Sequence, residues 1–85
     1  MKINFTETGW DDYVYWQKQD PRTLKQINKL ITDIVRRGQG GLGRPEPLRG
    51  DFYGWWSRHI DAKNRLVYRL DDEAVEIAQC RGPGF

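Results

Sequence analysis

A chain of 85 residues with 14 Lys or Arg against 12 Asp or Glu has room for one small domain, residues 1–85, with a modest core. It carries no signal peptide and no long apolar run, which points away from secretion and from membrane spanning. Its single cysteine, Cys80, excludes an internal disulfide and fits a reducing cytoplasm, and one His with one Cys cannot build a typical zinc site, so no metal and no cofactor are expected.

Residues 2–6 alternate as a short strand with Ile3 and Phe5 on one face. Thr8 is the expected N-cap of a first helix, with Asp11 favouring its N-terminal end, and Trp10, Tyr13, Val14 and Gln17 fall along one stripe. "DPR" then restarts the chain, with Asp20 as N-cap and Pro21 as the first helical residue. Leu24, Ile27, Leu30, Ile31, Ile34 and Val35 recur at helical spacing, Arg36 and Arg37 suit the negative end of the dipole, and Gly38 suits the position just past the helix. Residues 8–37 therefore read as a helical hairpin.

"GQGGLG" (38–43) reads as a flexible connection. It is not a phosphate-binding P-loop, because no Gly-Lys-Ser/Thr follows. Strands are expected around Leu48 and over 55–60, 65–70 and 74–81, with "DAKN" as a turn. The order β-α-α-β-β-β-β gives an α/β (α+β) fold, an antiparallel sheet with two helices on one face.

Charge is unevenly spread. Residues 1–21 carry a net −2, residues 22–69 a net +7 and residues 70–85 a net −3, so the middle is the candidate surface for a polyanion. Pairing the more apolar alternating sets of the 55–60 and 65–70 strands turns Trp56, Ile60, Leu66, Tyr68 and Leu70 toward the helices. Ser57, His59, Arg65 and Arg69 then share the open face, and Glu46 reaches its edge from a segment stiffened by Pro45 and Pro47. Arginines bind phosphates and a carboxylate or imidazole moves a proton. An RNA 2′-OH can attack its own 3′-phosphate when a base takes its proton and a cation steadies the transition state. Glu46 is the candidate base and Arg65 the candidate cation. The alternative is that Glu46 simply pairs with Arg44 or Arg49 on the surface. Cys80 reads as a small buried hydrophobe with no His beside it in sequence to activate it.

"WDDYVYWQ" (10–17), "INKLI" (27–31), "GRPEPLRG" (43–50), "GWWSR" (54–58) and "RLVY" (65–68) together resemble the YoeB-type toxins of the RelE superfamily, over nearly the whole chain. The resemblance implies a RelE-like fold and a ribosome-dependent endoribonuclease that cuts mRNA in the A site of the 70S ribosome and leaves a 2′,3′-cyclic phosphate. It also implies inhibition by a YefM-type antitoxin, and homodimers are a further expected assembly. The family's base falls on Glu46 and its phosphate-contacting arginine on Arg65. Arg49, Arg58, His59, Arg69 and Arg81 make up the expected RNA- and ribosome-binding set, with His59 standing where the family usually has Arg. The family's terminal Arg-Tyr-His-Tyr departs here to "RGPGF" (81–85). Arg81 matches, but Gly82, Pro83 and Gly84 supply no proton donor, and two glycines predict a loosely fixed tail. Slow cleavage with His59 as a substitute acid, a degenerate toxin that binds without cutting, and a gyrase-directed toxin on the same fold are the competing expectations.

Overall fold

The computed structural model describes residues 1–84; Phe85 lies outside the described residues. The elements run β1 (Lys2–Phe5), α1 (Glu7–Gln19), α2 (Pro21–Arg37), β2 (Glu46–Pro47), a 3₁₀ turn (Gly50–Phe52), β3 (Trp56–His59), β4 (Arg65–Leu70) and β5 (Ala74–Gln79). They build one five-stranded sheet in the order β1-β5-β4-β3-β2. The expected order and helical hairpin are present, with one correction to the sheet. β2 to β5 pair antiparallel, but β1 runs parallel to β5. The helical hairpin carries the chain from one sheet edge to the other, so the meander returns its last strand to the side of the first.

α1 begins earlier than Thr8. Thr6 is the cap: its hydroxyl oxygen accepts from the Gly9 N–H at 3.1 Å and donates to the Ala78 carbonyl at 3.1 Å. The competing threonine has no such tie to β5. Gly9 lets the helix rest directly on that strand, since a Cβ there would lie 2.3 Å from the Ile77 carbonyl oxygen. Asp20 caps α2 as expected. Its Oδ1 accepts from Arg22 N at 3.1 Å and its Oδ2 from the Thr23 hydroxyl at 2.8 Å, and these bonds, the Thr23 one first, hold its carboxyl below the usual range.

The core lies between α2 and the sheet. Ile27, Leu30 and Ile34 are fully buried against Leu66, Tyr68, Val75, Ile77 and Cys80. Ile77 and Cys80 both face inward although three residues apart, because the β4–β5 register passes from Tyr68↔Ile77 to Val67↔Gln79 and leaves Ala78 as a bulge. Cys80 is buried as expected, and burial pushes its thiol up to about 12. No helix among the described residues is long and apolar enough to cross a membrane.

Candidate functional site

The sheet face away from the helices carries His59, Arg65 and Arg69 in rungs set by the strand register. Trp55 and Arg69 lie at one end, with the Arg69 guanidinium 4.5 Å from the Trp55 ring centroid and paired with the Glu76 carboxylate. Glu46, Ser57, Val67 and Gln79 form the middle rung, and His59 with Arg65 the next. Strands stand about 4.8 Å apart, so His59 sits between the strand of Glu46 and that of Arg65.

Glu46 is half of the two-residue strand β2, hydrogen-bonded to β3 at the sheet edge. Its entry is stiff: Arg44 adopts φ +55, rare for a residue with a side chain, and Pro45 follows it. The Glu46 side chain is 63% exposed, and its Oε1 lies 3.6 Å from His59 Nε2. Among the described residues the basic side chain within ion-pair reach of Glu46 is therefore His59, not the Arg44 or Arg49 that sequence offered. Arg49 is exposed at the start of the 3₁₀ turn.

Arg65 spends one nitrogen on its own turn. Nη1 donates to the carbonyls of Asp61 at 2.9 Å and Asn64 at 3.1 Å. Nε and Nη2 have no protein partner among the described residues, which leaves part of the fork for a ligand. The same turn holds the tail. Asn64 Oδ1 accepts from Gly82 N at 2.8 Å, and Arg65 N donates to the Gly82 carbonyl at 2.9 Å. Gly82 and Gly84 both sit at φ +91, where glycine alone is unstrained. A Cβ on Gly84 would lie 3.6 Å from Arg65 and 3.7 Å from Val67, and Val67 is fully buried although it faces away from the helices. The expected loose tail is thus a fixed cap beside Arg65, at least through Gly84. Arg81 stands apart from this group, its guanidinium 3.6 Å from the Tyr15 ring centroid on α1.

Arg58 overturns its expected place in the binding set. It is fully buried on the helix side of β3, and all five of its N–H donors are used. Nε donates to the Tyr68 hydroxyl at 3.0 Å. Nη1 donates to Asp33 Oδ2 at 2.7 Å and the Leu42 carbonyl at 3.0 Å, and Nη2 to the carbonyls of Gly38 at 2.7 Å and Gly40 at 2.9 Å. A guanidinium so saturated has nothing left for RNA. Asp33 also accepts from Leu42 N at 2.9 Å. That backbone bond, then Arg58, holds its carboxyl below the usual range. The Tyr68 hydroxyl donates onward to Gln39 Oε1 at 2.9 Å, and burial pushes its pKa above the ordinary phenol value, which keeps it a donor. A Cβ on Gly41 would meet Asp33 Oδ2 at 2.1 Å. The "flexible" glycine segment is therefore wrapped tightly around one arginine, and it runs straight into β2. Sequence reasoning missed Asp33, Gln39 and Tyr68 as its fixing points. The signal was present: Arg58 shares its alternation with Trp56 and Ile60, the core-facing set.

The family model of the YoeB-like toxin of bacterial type II toxin-antitoxin systems matches residues 5–82. The chain belongs to this family. A YoeB toxin of Streptomyces coelicolor is 51% identical over 95% of this chain and 96% of its own length. Among solved structures, a YoeB/ParE toxin from Agrobacterium tumefaciens superposes with a TM-score of 0.93 at 46% identity, covering 96% of this chain and 98% of that one. A YoeB–YefM complex from Staphylococcus aureus matches with a TM-score of 0.91 at 38% identity, covering 95% of this chain and 94% of that one. A YoeB dimer from the same organism matches with the same TM-score and coverage at 39% identity. The chain is thus a toxin of the type II class on the RelE-like fold expected of it.

Proposed function

We propose that this toxin is an endoribonuclease that cuts mRNA presented by the ribosome in the cytoplasm. Glu46 takes the proton of a 2′-OH, that oxygen attacks the adjoining phosphate, and Arg65 steadies the charge that builds on the phosphoryl oxygens. The observation that carries this reading is the placement of an accessible carboxylate at the edge of a cationic sheet face, with an unspent part of the Arg65 fork on the same face. His59 and Arg69 line the same face as candidate contacts to the RNA backbone, and Arg49, exposed before the 3₁₀ turn, is a further candidate. Arg81, turned toward α1, is a candidate contact to ribosomal RNA outside the cleavage centre.

A YefM-type antitoxin is the proposed inhibitor, by likeness to the Staphylococcus aureus complex, and self-association follows by likeness to the dimer from that organism. An acidic antitoxin segment laid over Arg65 and Arg69 would neutralise the face and stabilise the toxin by mass action. A binding-only toxin is the second reading, favoured by the tail, where Gly82, Pro83 and Gly84 place no proton donor beside Arg65. Expression without antitoxin, with mapping of mRNA 5′ ends, separates the two. Codon-phased cuts support the ribonuclease, and growth arrest with intact mRNA supports binding alone.

A further inference from the structure

We propose that His59 is the charge partner and positioning residue of Glu46, and not the group that protonates the leaving oxygen. This rests on the ribonuclease reading of the open face. Among the described residues His59 is the one basic side chain within ion-pair reach of Glu46, at 3.6 Å between Nε2 and Oε1, a pair that carries charge on both sides when the imidazole is protonated. The sheet itself sets that contact. Glu46 lies opposite Ser57 in the ladder, and His59 N donates to the Gly43 carbonyl at 2.6 Å. The backbones on both sides of the pair are therefore fixed. The charged groups that bracket His59 are Glu46 from β2 and its cross-strand neighbour Arg65 from β4. The helices pack on the other face, where Arg58 is buried.

In-line transfer at phosphorus puts the attacking and leaving oxygens on opposite sides. The base and the acid then stand with the phosphate between them. Two side chains 3.6 Å apart leave no room for a phosphate between, so His59 stands on the side of the base. There it has a defined task. An approaching RNA strand brings negative charge, which drives a carboxylate to take up a proton and so lose its use as a base. When protonated, the imidazole beside Glu46 offsets that field and holds the carboxylate toward the incoming 2′-OH. In the step itself Glu46 gains the 2′ proton, the 2′-oxygen–phosphorus bond forms, and the phosphorus–5′-oxygen bond breaks. A 2′,3′-cyclic phosphate remains, and the departing 5′-oxygen takes its proton from water.

An mRNA with sulfur in place of the bridging 5′-oxygen at the scissile position, presented on ribosomes, tests this. A thiolate leaves without protonation because thiols are far more acidic than alcohols. His59→Ala is expected to slow the oxygen and sulfur substrates by the same factor, roughly 10- to 100-fold. His59→Arg, a permanent cation that gives up no proton at neutral pH, is expected to stay within about tenfold of wild type, the loss that a shifted positioning contact allows. The proposal is overturned if His59→Ala cuts the sulfur substrate at wild-type rate while failing on oxygen, if His59→Arg is as impaired as His59→Ala, or if His59→Ala equals wild type on both. A wild-type protein that cuts neither substrate overturns the ribonuclease reading as well. His59 is partly exposed, and an unchanged Tm in each variant separates these outcomes from misfolding.

Discussion

Arg58 and His59 follow one another in β3, yet one has every side-chain donor bound and the other, among the described residues, has one side-chain contact, with Glu46 of the neighbour strand at 3.6 Å. The difference extends to the two faces of the sheet. Toward the helices, a buried cation is met by a carboxylate, a tyrosine hydroxyl and three backbone carbonyls, and no buried side-chain polar atom among the described residues lacks a partner. Away from them, Glu46 and Arg65 keep hydrogen-bonding capacity that no partner among the described residues uses. Satisfied buried charge fixes a structure, because removing one member strands the rest. Unsatisfied exposed charge contributes little to folding and is available to a ligand. The two faces should therefore separate cleanly under mutation, stability answering to one and activity to the other.

The largest expected stability effect is on the closed face. Arg58→Met removes the buried cation beside Asp33, which among the described residues keeps only Leu42 N and the exposed Arg37, and leaves three carbonyls without this donor, a loss of roughly 3 to 5 kcal/mol. In a domain of this size that lowers Tm by on the order of 15 °C, readable by calorimetry. A drop of only a degree or two would mean that the glycine segment finds other partners and the contrast between the faces is weaker than described.

Acid should act on the same network. The Asp33 carboxyl is held below its ordinary value, so its contribution is complete above about pH 4 and is lost as pH falls through the lowered value. Asp20, Asp61 and Asp71 are shifted in the same direction. Tm should be insensitive to these groups between pH 7 and 5 and fall steeply below 4. Asp33→Asn, less stable at neutral pH, should lose less on acidification. A parallel pH dependence in the two proteins would remove Asp33 from the account. The smallest effect belongs to the open face: Arg69→Ala, which breaks an exposed pair with Glu76, should cost about 1 kcal/mol or less. A larger loss would show that the Trp55–Arg69 stack is structural.

Much of this was legible in sequence, and the gaps have physical causes. The two helices and the meander followed from periodicity and from Asp20, Pro21 and Gly38. The cap at Thr6 did not, because what favours it over Thr8 is a hydrogen bond to Ala78, 72 residues away. The parallel pairing of β1 depends on where the last strand arrives, which no local pattern encodes. Glycines 38–43 read as loose because composition reports freedom in the unfolded chain, whereas Arg58 and Asp33 remove it in the fold. The same error applied to Gly82 and Gly84, whose positive φ serves a path pinned by Asn64. At the candidate site, alternation predicted that His59 and Arg65 share a face with Glu46 at its edge. The Glu46–His59 contact itself required the β2–β3 register, which a two-residue strand between prolines does not reveal.

The most direct measurement pairs the two readouts on one substitution. Glu46→Gln should leave Tm within about 5 °C of wild type, because an exposed pair is worth little, while cleavage of ribosome-bound mRNA falls by roughly 100-fold or more. Cleavage by Glu46→Gln at the wild-type rate, with the fold intact, would contradict the assignment of the open face as the catalytic one.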